Sequence, residues 1–238
     1  MIPNMELSHL LLHTKDYAFC HIPKNGGTNF KHCFGYNREM PWWCQGNTRR
    51  HLQNWRHQRP SWFEKTFDIH PKQWICIVRN PYSRYVSMYA YFKRRGVEVD
   101  TDRWCRPENG RNMWLLQLVR NCTFEEFVHK NVPKLVDNFI LQWRHRNYEN
   151  EYKLVWALTD PQVRWVKDVP NMKWFKLEEP HILEEYTGLP FSDTFMNMTP
   201  HDPWESYYSP ELKQIIYERF TEDFDFFGYD RGRRNHIK

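Results

Sequence analysis

Apolar and polar positions follow two different periods along this chain. Three short runs are close to continuously apolar: residues 17–22 (YAFCHI), 73–78 (QWICIV) and 172–177 (MKWFKL). Runs of this length, rich in Ile, Val and aromatic residues, predict strands. The middle run has almost no polar position, as expected of a parallel sheet covered on both faces. Behind it Tyr82, Tyr85, Val86, Tyr89 and Phe92 recur at helical spacing, with Pro81 suited to the first turn. Ser209-Pro210 opens a second amphipathic helix that carries Leu212, Ile215, Ile216 and Phe220. Ser61 with Glu64, and Thr123 with Glu126, have the spacing of capping boxes and predict two more helix starts. Residues 96–112 are polar, Arg-rich and unpatterned, which predicts a surface loop. Strands alternating with helices predict an α/β fold built on a mainly parallel sheet. No internal repeat, low-complexity tract or Gly/Ser linker interrupts the chain, so residues 1–238 read as one domain.

Composition narrows the classes. Hydrophobic residues at 40% and charged residues at 26% exclude a disordered or collagen-like chain. Lys plus Arg exceeds Asp plus Glu by 34 − 29 = 5, which suits an anionic ligand without requiring nucleic acid. No nucleic-acid partner is expected. Aromatics reach 17%, with 12 Trp. Such rings build a core of large flat side chains, or a few of them stack on sugars or bases. No apolar stretch is long enough to span a membrane as a helix. The N-terminus lacks a basic segment, and its apolar run is short and broken by His, unlike a signal peptide. Six Cys occur without any C-x-x-C, and Cys20 and Cys76 sit within predicted strands. Buried, reduced thiols in a cytoplasmic protein are expected. Met1 favours a natural soluble form, and the Golgi lumen is the alternative if the chain is a fragment of an anchored protein. Only nine Gly are present, so the adjacent pair Gly26-Gly27 stands out.

That pair lies in His21-Ile22-Pro23-Lys24-Asn25-Gly26-Gly27-Thr28-Asn29-Phe30, between a predicted strand and a predicted helix. Glycines there let main-chain N–H groups approach an anion, and a following helix start adds partial positive charge. Lys24 adds a full charge; Thr28 and Asn29 add side-chain donors. The alternative is an ordinary tight turn. A Walker A motif is absent, since Lys24 precedes the glycines. The second segment, Ile75-Cys76-Ile77-Val78-Arg79-Asn80-Pro81-Tyr82-Ser83-Arg84-Tyr85-Val86-Ser87, delivers Arg79 at the carboxyl end of a buried strand. Ligands of open α/β sheets bind at that end. Arg79 and Ser87 suit a phosphate clamp, or else are a salt-bridged Arg and a solvated Ser.

Together the two segments resemble the cofactor-binding motifs of sulfotransferases that use 3′-phosphoadenosine 5′-phosphosulfate (PAPS). HIPKNGGTNF is similar to the 5′-phosphosulfate loop and IVRNPYSRYVSMY to the 3′-phosphate motif, in wording closest to the carbohydrate sulfotransferases. Phe175-Lys176-Leu177-Glu178, Glu222-Asp223-Phe224 and Phe227-Gly228-Tyr229 resemble later family features, so the resemblance covers roughly residues 17–230. It implies a P-loop-like three-layer fold, with a central mainly parallel sheet flanked by helices. It implies sulfuryl transfer from PAPS, leaving PAP, to a hydroxyl acceptor, with carbohydrate the favoured class. Lys24 would contact the phosphosulfate and steady the leaving oxygen. Asn25, Gly26, Gly27, Thr28 and Asn29 would hold the 5′ group, and Arg79 and Ser87 the 3′-phosphate. Asn25 and Asn29 depart from the commoner Thr or Ser but can still donate hydrogen bonds.

Sulfuryl transfer makes demands like those of phosphoryl transfer, and a base near the acceptor hydroxyl assists it. The resemblance favours His51 as that base, with His57 and His70 as alternatives. A second family His, usually just before a Pro-Gln pair, is missing: Leu158-Thr159-Asp160 precedes Pro161-Gln162. His201 either lines the site or sits in a loop. His9 and His13 have helical i, i+4 spacing but no third ligand, so no metal is expected. Trp42, Trp43, Trp55 and Trp104 are candidates to line a sugar cleft. Arg231, Arg233, Arg234 and Lys238 form a basic tail that either contacts an anion or is solvated. A nucleotide kinase is disfavoured by the missing Walker residues. The alternative of a different class is a non-catalytic PAP- or sulfated-glycan-binding protein on the same scaffold.

Overall fold

The computed structural model describes residues 17–27, 29–30, 57–68, 70–97, 118, 120–137, 158–188, 190–191 and 199–232. The chain forms two compact units: Met1–Arg79 with Tyr152–Trp156 and Gln162–Met198, and Asn80–Glu151 with Ala157–Pro161 and Thr199–Lys238.

In the first unit three strands, β1 (Tyr17–Cys20), β2 (Gln73–Val78) and β3 (Met172–Lys176), form one sheet in the order β1-β2-β3. Both pairings are parallel, with Cys20 opposite Cys76 and Val78 opposite Lys176. The α/β class with a parallel sheet is therefore as the sequence predicts. Side chains alternate between the two faces of a strand. Phe19, Ile75, Ile77 and Phe175 form one core with Phe30, Leu183 and Phe191. Ala18, Cys20, Trp74, Cys76 and Val78, one residue out of phase, are buried as well, and Trp74 meets the ring of Phe63. Two covered faces explain why β2 reads as an unbroken apolar run.

Several boundaries differ from the sequence reading, among them the end of β3, which stops at Lys176, one residue early. β1 stops at Cys20, two residues early, because the chain leaves the ladder before Pro23, which has no N–H to donate. Helix α1 (Pro60–Phe67) begins with Pro60 in its first turn and Arg59 as N-cap, with no side-chain cap bond. The preset φ of proline starts the helix, so Ser61 lies inside it and the expected capping box does not form. Glu64 instead accepts a hydrogen bond from Trp74 Nε1 at 2.8 Å.

The second unit is helical among its described residues. Helix α2 (Pro81–Val97) starts where the Asn80 side chain accepts the N–H of Tyr82 at 2.9 Å. It runs to Val97, so the predicted loop at 96–112 begins later, and its remainder lies outside the described residues. Helix α3 (Phe124–His129) carries the expected capping box between Thr123 and Glu126. Downstream lie α4 (Pro180–Thr187), in the first unit, and then α5 (Pro210–Arg219) and α6 (Thr221–Phe227) in the second. Ser209 caps α5 by accepting the Leu212 N–H, as predicted. The tyrosines of α2 pack on other rings. Tyr82 stacks on Trp204 with centroids 5.4 Å apart, Tyr85 meets Phe127 edge-on, and Tyr89 meets Phe124 and Tyr207. In this unit most of the described rings pack on one another, although Phe226 is exposed.

Candidate functional site

The loop after β1 turns sharply. Lys24 has φ +69°, a left-handed conformation that few residues with a side chain adopt, and Gly26 follows with φ +75°. A Cβ on Gly26 would sit 2.9 Å from a Leu177 methyl. Alternating handedness of this kind turns successive main-chain N–H groups toward a common concavity suited to an anion. The N–H of Phe30 donates to the Gly26 carbonyl at 3.1 Å, closing the first helical turn behind the glycines. Gly27 is required by packing. A Cβ there would lie 2.1 Å from the His21 ring, which covers it. His21 therefore flanks the loop.

Arg79 leaves the carboxyl end of β2 beside this loop. Its Nη1 donates to the Lys24 carbonyl at 3.3 Å. Two cationic side chains thus start from one end of a parallel sheet, where α/β folds bind ligands. A buried amide frame supports them. Gln162 accepts the Arg79 main-chain N–H at 2.9 Å and donates from Nε2 to the Arg79 carbonyl at 2.8 Å. The Asn25 amide donates to Gln162 Oε1 at 2.5 Å and to the Ile77 carbonyl at 2.9 Å. Asn29 donates to the Phe191 carbonyl at 2.9 Å. The side-chain amides of Asn25 and Asn29 thus brace the loop from inside.

His57 stands next to this frame. Its Nδ1 lies 2.9 Å from the His21 carbonyl and its ring 4.3 Å from the His21 ring. A carbonyl only accepts, so Nδ1 carries the proton and Nε2 is the basic nitrogen. Trp165 Nε1 donates to the His57 carbonyl at 3.2 Å, and the Arg59 guanidinium lies over the Trp165 ring. Burial pushes the thiols of Cys20 and Cys76 well up, so neither supplies a thiolate near neutral pH.

The profile of the sulfotransferase family matches residues 10–230. This chain belongs to the sulfotransferase family. No curated protein and no solved structure gives a match to it. The match spans both units of the sulfotransferase, and sulfuryl transfer to an acceptor is the family's reaction.

The structure brings Lys24, Asn25, Gly26, Gly27, Asn29 and Arg79 together in the first unit. Ser87 sits half-buried on α2 in the second. Thr28, His51, His9 and His13 lie outside the described residues, as do Trp42, Trp43, Trp55 and Trp104. His70 is exposed, with Nε2 2.9 Å from Asp68. His201 is exposed too, with Nδ1 on the Asp202 carbonyl. No cluster of metal-ligating side chains occurs among the described residues. No described helix is long and apolar enough to cross a membrane. The sequence reading met Gln162 only as half of the Pro161-Gln162 pair and gave it no role in the site. The available signal was that pair, with an amide beside the apolar positions Val163, Trp165 and Val166.

Proposed function

We propose that this sulfotransferase uses PAPS as donor and transfers the sulfuryl group to a hydroxyl, with a glycan as the favoured acceptor. The observation that carries the reading is the convergence of the Lys24 loop and Arg79 at the carboxyl edge of the sheet. Two adjacent cations favour a ligand with two separated anionic groups, and 3′,5′-phosphorylated adenosine has that form. Main-chain N–H groups of residues 25–27, with Thr28 and Asn29, hold the 5′ group, and Arg79 with Ser87 holds the 3′-phosphate. Bound PAPS supplies the sulfuryl group on a good leaving phosphate. Lys24 offsets the charge that grows on the leaving oxygen, and positioning supplies the rest of the acceleration. The acceptor proton passes to a histidine, His51 in our proposal. His57 is the alternative within the described residues, accepting at Nε2. The Trp residues at 42, 43, 55 and 104 support a sugar-binding cleft. The proposed catalytic unit is one domain over residues 1–238. The proposed compartment is the cytoplasm, supported by the buried free thiols Cys20 and Cys76.

Calorimetric titration with PAP tests the reading. The wild type is expected to bind tightly, and a Lys24→Ala/Arg79→Ala double variant to lose binding while keeping its fold. A folded wild type that shows no heat with PAP would overturn the donor assignment.

A further inference from the structure

Gln162, the second residue of the Pro161-Gln162 pair, ties the Lys24 turn to Arg79. It begins a 3₁₀ turn (Gln162–Trp165) whose Val163 and Trp165 are buried, so its backbone is anchored in the core of the first unit. Its side chain is fully buried. The carboxamide pairs with both main-chain groups of Arg79, as a neighbouring strand would. Only one orientation of the amide fits this pairing, since the reverse would set NH₂ against N–H. The same oxygen accepts from Asn25 in the Lys24 turn. One amide therefore holds the main chain of Arg79, and with it the direction in which its side chain leaves the strand end, and ties that residue to the turn.

We infer that Gln162 is a positioning residue that sets the spacing between the 5′ and 3′ halves of the donor site, and so sets the preference for a 3′-phosphorylated nucleotide. The inference rests on the donor reading above. A side chain that only stabilised the fold would change affinity for every adenine nucleotide by the same factor. One that aims Arg79 changes the ratio between nucleotides with and without a 3′-phosphate.

The test compares PAP with 5′-AMP by calorimetry on wild type, Gln162→Met and Gln162→Glu. The Met variant keeps the volume and loses all three bonds. The Glu variant keeps two accepting oxygens, loses the donor to the Arg79 carbonyl and, when ionised, adds a buried negative charge. PAP affinity is expected to fall about tenfold or more in both variants, with a smaller loss for 5′-AMP. If Gln162→Met does not fold, the exchange measurement on the wild type decides. In the wild type itself, hydrogen exchange of the Arg79 main-chain amide and the Gln162 carboxamide should slow when PAP is added. Unchanged exchange on PAP binding, or a folded variant that keeps the wild-type ratio of PAP to 5′-AMP affinity, overturns the inference. A wild type that does not bind PAP removes the donor reading itself, and the inference with it.

Discussion

The two units use buried polar groups in opposite ways. In the first, the buried amides of Asn25, Asn29 and Gln162 are neutral and point mostly at main-chain atoms. They shape a turn and a strand end. In the second, the buried polar residues are charged apart from Ser83. Arg84 is almost fully buried on α2 and donates to the carbonyls of Asp160 and Leu158 at 3.1 and 3.3 Å. Burial pulls its guanidinium pKa down, while Asp223, Asp160 and Asp137 hold it up. Asp137 in turn accepts the N–H groups of Leu158 and Thr159 and the Thr159 hydroxyl. Burial pushes the Asp137 carboxyl up, and those donors offset part of the rise. A buried neutral amide that loses its partner costs about 1–3 kcal/mol, whereas a buried charge that loses its partner costs more, about 3–5 kcal/mol. The first arrangement suits a site and the second suits a clamp on the chain at 158–160.

Arg84→Met breaks this comparison most forcefully. It removes the buried positive charge that Asp223, Asp160 and Asp137 act on, and the donors to two carbonyls. Breaking a buried charge cluster from one side costs about 3–5 kcal/mol. Urea unfolding should show a loss of that size. Arg84→Lys should recover little, because a single ammonium cannot reproduce the fork that reaches both carbonyls. A loss under about 1 kcal/mol would mean that the cluster acts as a solvated surface network, and the contrast between the units would fall.

How much of this was legible beforehand follows the same division. Local chemistry was readable: Pro81 in the first turn of α2, Ser209 as a cap and the Thr123–Glu126 box all sit as the spacing demands. β2 was readable because a sheet covered on both faces demands apolar residues at nearly every position, whereas β3, with Lys173 exposed and only Phe175 buried, shows that demand in part. The pairing of Gln162 with Arg79 was not, since the two lie 83 residues apart and nothing local marks an amide as a strand surrogate. Ser61 misled for a related reason: its spacing to Glu64 fits a box, but Pro60 starts the helix first. Lys24 and the glycines were found as a motif, but the left-handed Lys24 and the ring of His21 over Gly27 are facts of packing.

Gly27→Ala sharpens the comparison at a smaller magnitude. Its Cβ would overlap the buried His21 ring, so ring or loop must shift. Overpacking of this kind costs about 1–3 kcal/mol. Removing the obstacle should restore the loss in part, so His21→Ala/Gly27→Ala is expected to unfold at higher denaturant than the sum of the two single changes implies. Strict additivity in that cycle would show that the glycine is required for some reason other than the ring.

Thr123→Ala is the mildest test and probes the second unit away from its buried charges. The Thr123 hydroxyl accepts the Glu126 N–H at 3.2 Å, and the Glu126 carboxylate accepts the Thr123 N–H at 2.9 Å. Losing the cap should cost about 1 kcal/mol in chemical denaturation at neutral pH. The Thr123 N–H and Lys130 hold the Glu126 carboxyl below its ordinary value. A depressed folded-state pKa stabilises above the unfolded value, and that contribution fades as pH falls through the folded one. Glu126→Gln should therefore be less stable than wild type at neutral pH and converge with it in acid, where both carry a neutral group. Thr123→Ala removes a hydroxyl bond that does not titrate, so part of its deficit should persist in acid. If the Thr123→Ala deficit vanished entirely with the Glu126 charge, the cap would act through electrostatics alone, and even the exposed helix start of this unit would depend on charge as its core does.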